Sequence, residues 1–125
     1  MTRVRNVLGL IAAIIIILSS AAHSFLGWKA LGAQLAAAGA PADLINGLRI
    51  GWQFGGAAML TFGLVAGMIF FHRLRGEGVP TFPALYTALL YLVFGAWALA
   101  VSNFDPFFAI FIVPGVMLLF AAWPR

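Results

Sequence analysis

The chain has no cysteine and only three acidic residues, Asp43, Glu77 and Asp105. Without cysteine there are no disulfides, no thiolate metal sites and no thiol redox chemistry. Charged residues make up 8% of the 125 positions, against about 25% in an ordinary soluble domain. Seven basic and three acidic side chains cannot cover a water-exposed surface while 64% of the residues are hydrophobic. The composition therefore predicts an integral membrane protein. Its net charge of +4 has no bearing on nucleic acid, because the basic residues sit at the ends of apolar runs, where they anchor helices and set topology.

A second scarcity limits the chemistry. Two histidines and three acids, dispersed along the chain, leave any metal site without a third strong ligand. A bis-histidine haem needs two imidazoles at one depth, whereas His23 and His72 fall near opposite ends of apolar runs. Ser20 and Ser24 flank His23, but nothing in the pattern orients a base toward an activated serine. No glycine-rich phosphate loop follows a strand. The reading is of a non-enzymatic protein with no catalytic residues, no metal and no cofactor.

What is present is four apolar stretches, roughly Val7–Gly27, Ile50–Phe71, Ala84–Val101 and Phe107–Trp123. A helix needs about 20 such residues to cross the roughly 30 Å hydrocarbon core. The expectation is an all-α membrane protein, a single four-transmembrane-helix bundle over residues 1–125. Between the first two spans, Lys29 to Ala38 reads as a short extra helix ended by Gly39, and Pro41 with Asp43 restarts the chain as helix. Gly76 and Gly78 break the second span after His72, Arg73 and Arg75, and Pro80 and Pro83 precede the third. In "SNFDPFF", Asp105 caps the fourth span and Pro106 takes its first position, while Pro114 bends it near mid-membrane.

Orientation follows from the basic residues. Placing the N-terminus inside puts Arg3, Arg5, Arg73, Arg75 and Arg125 in the cytoplasm and only Lys29 and Arg49 outside. Both termini are thus expected in the cytoplasm. Six arginines against one lysine, with abundant alanine and glycine, fit a GC-rich bacterial genome and hence a bacterial inner membrane. Arg3 and Arg5 followed by "VLGLIAAIIIIL" and "SSAA" imitate a secretory signal peptide. Apolar character continues through Phe25, Leu26 and Trp28, and cleavage would leave an odd helix number, so the segment reads as a retained span.

Small residues mark the seams. Successive residues of a helix turn by about 100°, so positions seven apart share a face. That aligns Gly9, Ala13, Ile16, Ser20, His23 and Gly27 on the first helix, and Ala84, Ala88, Tyr91, Gly95, Ala98 and Ser102 on the third. The second helix carries two glycine patches. Gly56 and Gly63 share one stripe with Arg49, with Gln53 and Gly67 beside it, while Gly47, Gly51 and Gly55 lie roughly opposite. Glycine allows close backbone approach, the main device of helix association in lipid. One patch is expected to face the chain's own bundle, the other a third helix or another subunit.

Polar residues gather near the outer ends of the spans: Ser20 and His23 on the first helix, Arg49 and Gln53 on the second, and Asp105 in the last connection. Hydrocarbon offers no hydrogen bonds, so such groups must be paired. One reading is a closed network in which Arg49 snorkels outward and pairs with Asp105 or Asp43. The other is an outward-facing pocket in which Arg49 holds an anionic small molecule and His23 exchanges a proton, with Trp28 and Trp52 at its mouth. Size and span number resemble the small multidrug resistance transporters, which pair two four-helix subunits. Those use a glutamate embedded in the first helix, where this chain has only apolar, small and serine residues and His23. The coupling residue is absent, and no family assignment follows.

The functional expectation is a small accessory or assembly subunit, or a homo-oligomer, packed through glycine-rich faces and surrounded by membrane lipids. The alternative is a transporter or lipophilic-ligand carrier using His23, Arg49 and Gln53. The aromatic face of Phe104, Phe107, Phe108, Phe111 and Phe120 would serve contact with a larger membrane complex or with lipid equally well.

Overall fold

The computed structural model describes residues 2–124. Among them there are four helices and no strand: α1 (Thr2–Ala37), α2 (Ala42–Leu74), α3 (Phe82–Val101) and α4 (Pro106–Ala122). The first three are long and apolar enough to cross a membrane, and α4, at 17 residues, is shorter.

The helix boundaries follow local chemistry. α1 stops at Gly39, whose φ of +71° is the left-handed conformation that glycine adopts without penalty. Pro41 immediately precedes α2. Gly76, at φ +86°, ends the turn after α2. The carboxylate of Asp105 accepts a hydrogen bond from the Phe107 backbone N–H (2.9 Å), and Pro106 opens α4 with a single 3₁₀ turn.

One boundary departs from the sequence reading. The short helix expected in the first connection is not separate, because α1 runs unbroken from Thr2 to Ala37. Residues Ala22–Gly27 widen to a π-helical turn and the α-helix resumes at Trp28. The second helix begins at Ala42, directly after Pro41 as expected, and the fourth continues through a buried Pro114.

Packing centres on α1, which runs against α2 on one side and α4 on another; α3 packs on α4 and touches α2 less. The seam residues Gly9, Ala13, Ile16 and Ser20 of α1 and Ala84, Ala88, Tyr91, Gly95 and Ala98 of α3 are all buried. Phe70 of α2, fully buried, lies over Gly9, where a Cβ would come within 2.5 Å of its ring. Between α2 and α3 an apolar groove of about 690 Å³ is left, lined by Phe62, Val65, Tyr86 and Leu90 among others.

The helices differ greatly in length. α1 has 36 residues and α2 33, so at a rise of about 1.5 Å per residue they extend about 54 and 50 Å, whereas the 20 residues of α3 extend about 30 Å. Arg5, Arg73, Thr81 and Trp123 line one cavity, so all four helices are level at that end. The excess of α1 and α2 therefore lies wholly at the other end. There they form a two-helix arm that stands roughly 20 Å beyond the α3–α4 turn.

Candidate functional site

The expected polar cluster lies at the base of this arm, on α1 and α2 only. His23 stacks face to face on Trp52, with centroids 4.3 Å apart and an interplanar angle of 4°. Each of the two residues also donates to the other's backbone. The His23 Nε2–H donates to the Trp52 carbonyl (3.1 Å), and the Trp52 indole Nε1–H donates to the His23 carbonyl (2.7 Å). A carbonyl oxygen only accepts, so the proton on the imidazole is at Nε2. The Gln53 side-chain amide donates to the Ser24 carbonyl (2.9 Å).

The π turn explains why these carbonyls meet side chains from α2. In it the Trp28 backbone N–H reaches back to the His23 carbonyl, five residues away instead of four. The looser winding exposes the His23 and Ser24 carbonyls toward α2, where Trp52 and Gln53 supply the extra donors. Glycines permit the approach. A Cβ at Gly56 would collide with the Ser24 hydroxyl, one at Gly55 would lie 3.4 Å from His23 Nε2, and one at Gly27 would lie 3.0 Å from the Trp52 ring.

Of the residues the sequence pointed to, His23 and Gln53 join here, and Ser20 is buried one turn below. Arg49 and Asp105 do not join, which corrects the expectation of a cluster drawn from three or four helices. Arg49 is exposed, and no ion pair to Asp43 or Asp105 forms among the described residues. Asp105 serves its own turn, accepting from Phe107 while its backbone N–H donates to Ser102 Oγ (3.2 Å). The physical reason is local: Asp105 is committed to its own turn, and Arg49 is on the exposed surface of α2.

The glycines of α2 also divide differently from the expectation. Gly56 and Gly63 are buried against α1, where a Cβ at Gly63 would lie 2.7 Å from Ile17 Cγ1, and Gly67 lies 3.7 Å from the Ala13 methyl by the same measure. Gly55 belongs with His23 rather than with the opposite patch. Gly47 and Gly51 have no neighbour within 4 Å among the described residues, so α3 does not cover them.

A second polar group, read in the sequence only as a set of orientation markers, lies at the opposite end. Arg5 of α1 donates from Nε to the Phe120 carbonyl (3.0 Å) and from Nη2 to the Trp123 carbonyl, closing the last turn of α4. Arg73 of α2 donates to Asn6 Oδ1 (3.3 Å) and to the Val79 carbonyl (2.9 Å). Asn6 is only 4% exposed. The Thr81 hydroxyl donates to the Ala122 carbonyl (2.9 Å). These residues enclose a cavity of about 290 Å³. The signal available in the sequence was Asn6, an amide on the buried seam of an apolar helix.

At the end of α2, the His72 Nδ1–H donates to Glu77 (2.8 Å), which Arg75 also approaches (3.7 Å). His72 is thus about 20 residues, or roughly 30 Å of helix, from the level of His23.

No protein-family model matches the chain, and neither does any curated protein or solved structure.

Proposed function

We propose that the chain is a non-enzymatic accessory or assembly subunit of a bacterial inner membrane, with four transmembrane helices and both termini in the cytoplasm. The support for the orientation is the distribution of basic residues. Arg3, Arg5, Arg73 and Arg75 belong to the level end, and Arg125, outside the described residues, follows it in sequence. Lys29 and Arg49 belong to the arm.

The observation that carries the functional reading is the uncovered arm. Even tilted by 40°, a helix of about 54 Å spans about 41 Å along the membrane normal, more than the roughly 30 Å hydrocarbon core. The tip of the arm therefore projects past the hydrocarbon core. Its segment Trp28–Ala37 contains no buried residue, and Leu44 (50% exposed) and Leu48 point away from the chain's own core. Acyl chains do not reach apolar side chains held beyond the hydrocarbon core, so a protein surface covers them. Gly47 and Gly51 open a strip on which another helix backbone can come close.

The partner is a second copy or another membrane subunit. Replacing Gly51 with leucine adds bulk where no other described residue comes within 4 Å of the new Cβ. The expected result is loss of the assembled species in native mass spectrometry from mild detergent, with the subunit itself folded as before. An unchanged assembled mass would reject the contact.

A transporter or carrier site at His23, Arg49 and Gln53 draws no support from this geometry. The imidazole, indole and amide donors are already committed to backbone carbonyls, and Arg49 stands apart from them.

A further inference from the structure

The cavity at the level end has the charge and shape of a receptor for an anionic amphiphile. Arg5 and Arg73 both line it, and among the described residues no carboxylate does. The ion pairs among the described residues involve His72, Arg75 and Glu77, and neither Arg5 nor Arg73. A guanidinium carries five N–H donors in a planar fork. Arg5 commits Nε and one Nη2 proton to the end of α4, and Arg73 commits Nε and one Nη1 proton to Asn6 and Val79. No hydrogen bond among the described residues uses Arg5 Nη1 or Arg73 Nη2. Two half-buried guanidiniums in one cavity repel each other, and an oxyanion between them relieves both the repulsion and the incomplete pairing.

A second feature says what the anion is attached to. An apolar groove of about 350 Å³ adjoins the cavity and shares Arg5 and Trp123 with it. Its remaining lining is Val116, Leu119 and Phe120 on the outer face of α4. Arg5 stands at the junction, its guanidinium 5.6 Å from the centroid of the Phe120 ring. From Val116 to Trp123 the groove follows seven residue steps, about 10 Å along α4 and its end. A polar cationic cup opening into a greasy channel matches a charged head with a hydrocarbon tail.

We propose that this end of the bundle binds a phosphate-headed anionic lipid, with the phosphate oxygens on Arg5 and Arg73 and one acyl chain along Val116, Leu119 and Phe120. Basic pockets between helices on the cytoplasmic side are known to hold anionic head groups. The shared chemistry is the phosphate oxyanion, and the tail groove selects a lipid over free phosphate. This site lies at the opposite end from the arm, so it stands or falls independently of the assembly contact.

The test is native mass spectrometry of delipidated full-length protein titrated with dioleoylphosphatidylglycerol, with dioleoylphosphatidylcholine and inorganic phosphate as comparisons. One phosphatidylglycerol per chain is expected, with phosphatidylcholine and inorganic phosphate retained far less. Arg73→Gln should weaken phosphatidylglycerol binding about tenfold, the loss of one charge-assisted contact. Arg75→Gln, which changes net charge equally but lies outside the cavity, should leave binding unchanged. Because Arg73 also supports Asn6 and Val79, Thr2→Glu is the second variant. It places a carboxylate at the cavity wall and should displace the lipid in a chain with every arginine intact. Equal binding of phosphatidylcholine, or undiminished phosphatidylglycerol binding in both Arg73→Gln and Thr2→Glu, would overturn the proposal. Inorganic phosphate bound as well as phosphatidylglycerol would overturn its lipid part.

Discussion

Replacing Gly63 with alanine is expected to lower stability by about 2 kcal/mol, a large effect for a single methyl group. The new Cβ would lie 2.7 Å from Ile17 Cγ1, and 3.1 Å from both Ile16 Cγ2 and the Ile17 backbone nitrogen. A backbone atom cannot rotate away, so α1 and α2 must separate along their seam. Against a backbone atom the overpacking cost falls at the upper end of about 1–3 kcal/mol, and the better helix propensity of alanine returns about 1 of it, leaving about 2. The matched control is Gly67→Ala on the same helix. Its Cβ would meet only the Ala13 methyl among the described residues, at an ordinary 3.7 Å, so propensity dominates and stability should rise by up to about 1 kcal/mol. Thermal unfolding in detergent, followed by tryptophan fluorescence, reads both variants. Equal melting temperatures for the two would contradict the α1–α2 register.

Trp52→Ala is expected to be comparably damaging. It removes the stacked ring from His23, the indole hydrogen bond to the His23 carbonyl and the apolar contact over Gly27 in one step. Truncation of a buried tryptophan costs about 3–5 kcal/mol, and the half-buried setting of this one places it near the lower figure, about 3. Trp52→Phe keeps an aromatic ring over the imidazole but loses the indole donor, and should cost about 1 kcal/mol. Hydrogen exchange separates the two effects by location. In Trp52→Ala the amides of Trp28–Ala37 should lose protection while those around Ile16 and Phe70 keep it, because Trp52 joins the arm and Phe70 the bundle. Wild-type protection throughout would mean that the stack does not hold the arm.

The seams were legible because they depend on helical angle alone. Gly9, Ala13, Ile16 and Ser20 recur at the helical period, as do Ala84, Ala88, Tyr91, Gly95 and Ala98, and small side chains on one face leave little choice about what is buried. Helix ends were equally local: Gly39, Pro41 and the Asp105–Pro106 pair act on backbone within a few residues of themselves. The continuity of α1 was not local. Gly27 and Lys29 look like punctuation, and the helix persists through them by way of a π turn whose exposed carbonyls are met by Trp52 and Gln53, about 29 residues away in the chain.

The same limit explains the sites. Helical angle places Arg49 near Gln53 but says nothing of which side chains from other helices meet it, and Asp105 is taken up by its own turn. Arg5 and Arg73 served as orientation markers in the sequence. Their common cavity depends on four helix ends meeting, which no periodicity within one helix encodes.

The central claim is a bundle with both termini inside and an arm projecting from the outer face, and the absence of native cysteine makes it directly measurable. Single cysteines would be introduced as Ala38→Cys at the arm tip and Glu77→Cys in the turn after α2, both exposed positions. A membrane-impermeant maleimide would then be added to intact cells. The account expects Ala38→Cys to be labelled at once and Glu77→Cys only after the membrane is permeabilised. Labelling of Glu77→Cys in intact cells with protection of Ala38→Cys would invert the topology, and labelling of neither position after permeabilisation in an unfolding-free control would contradict the exposed arm.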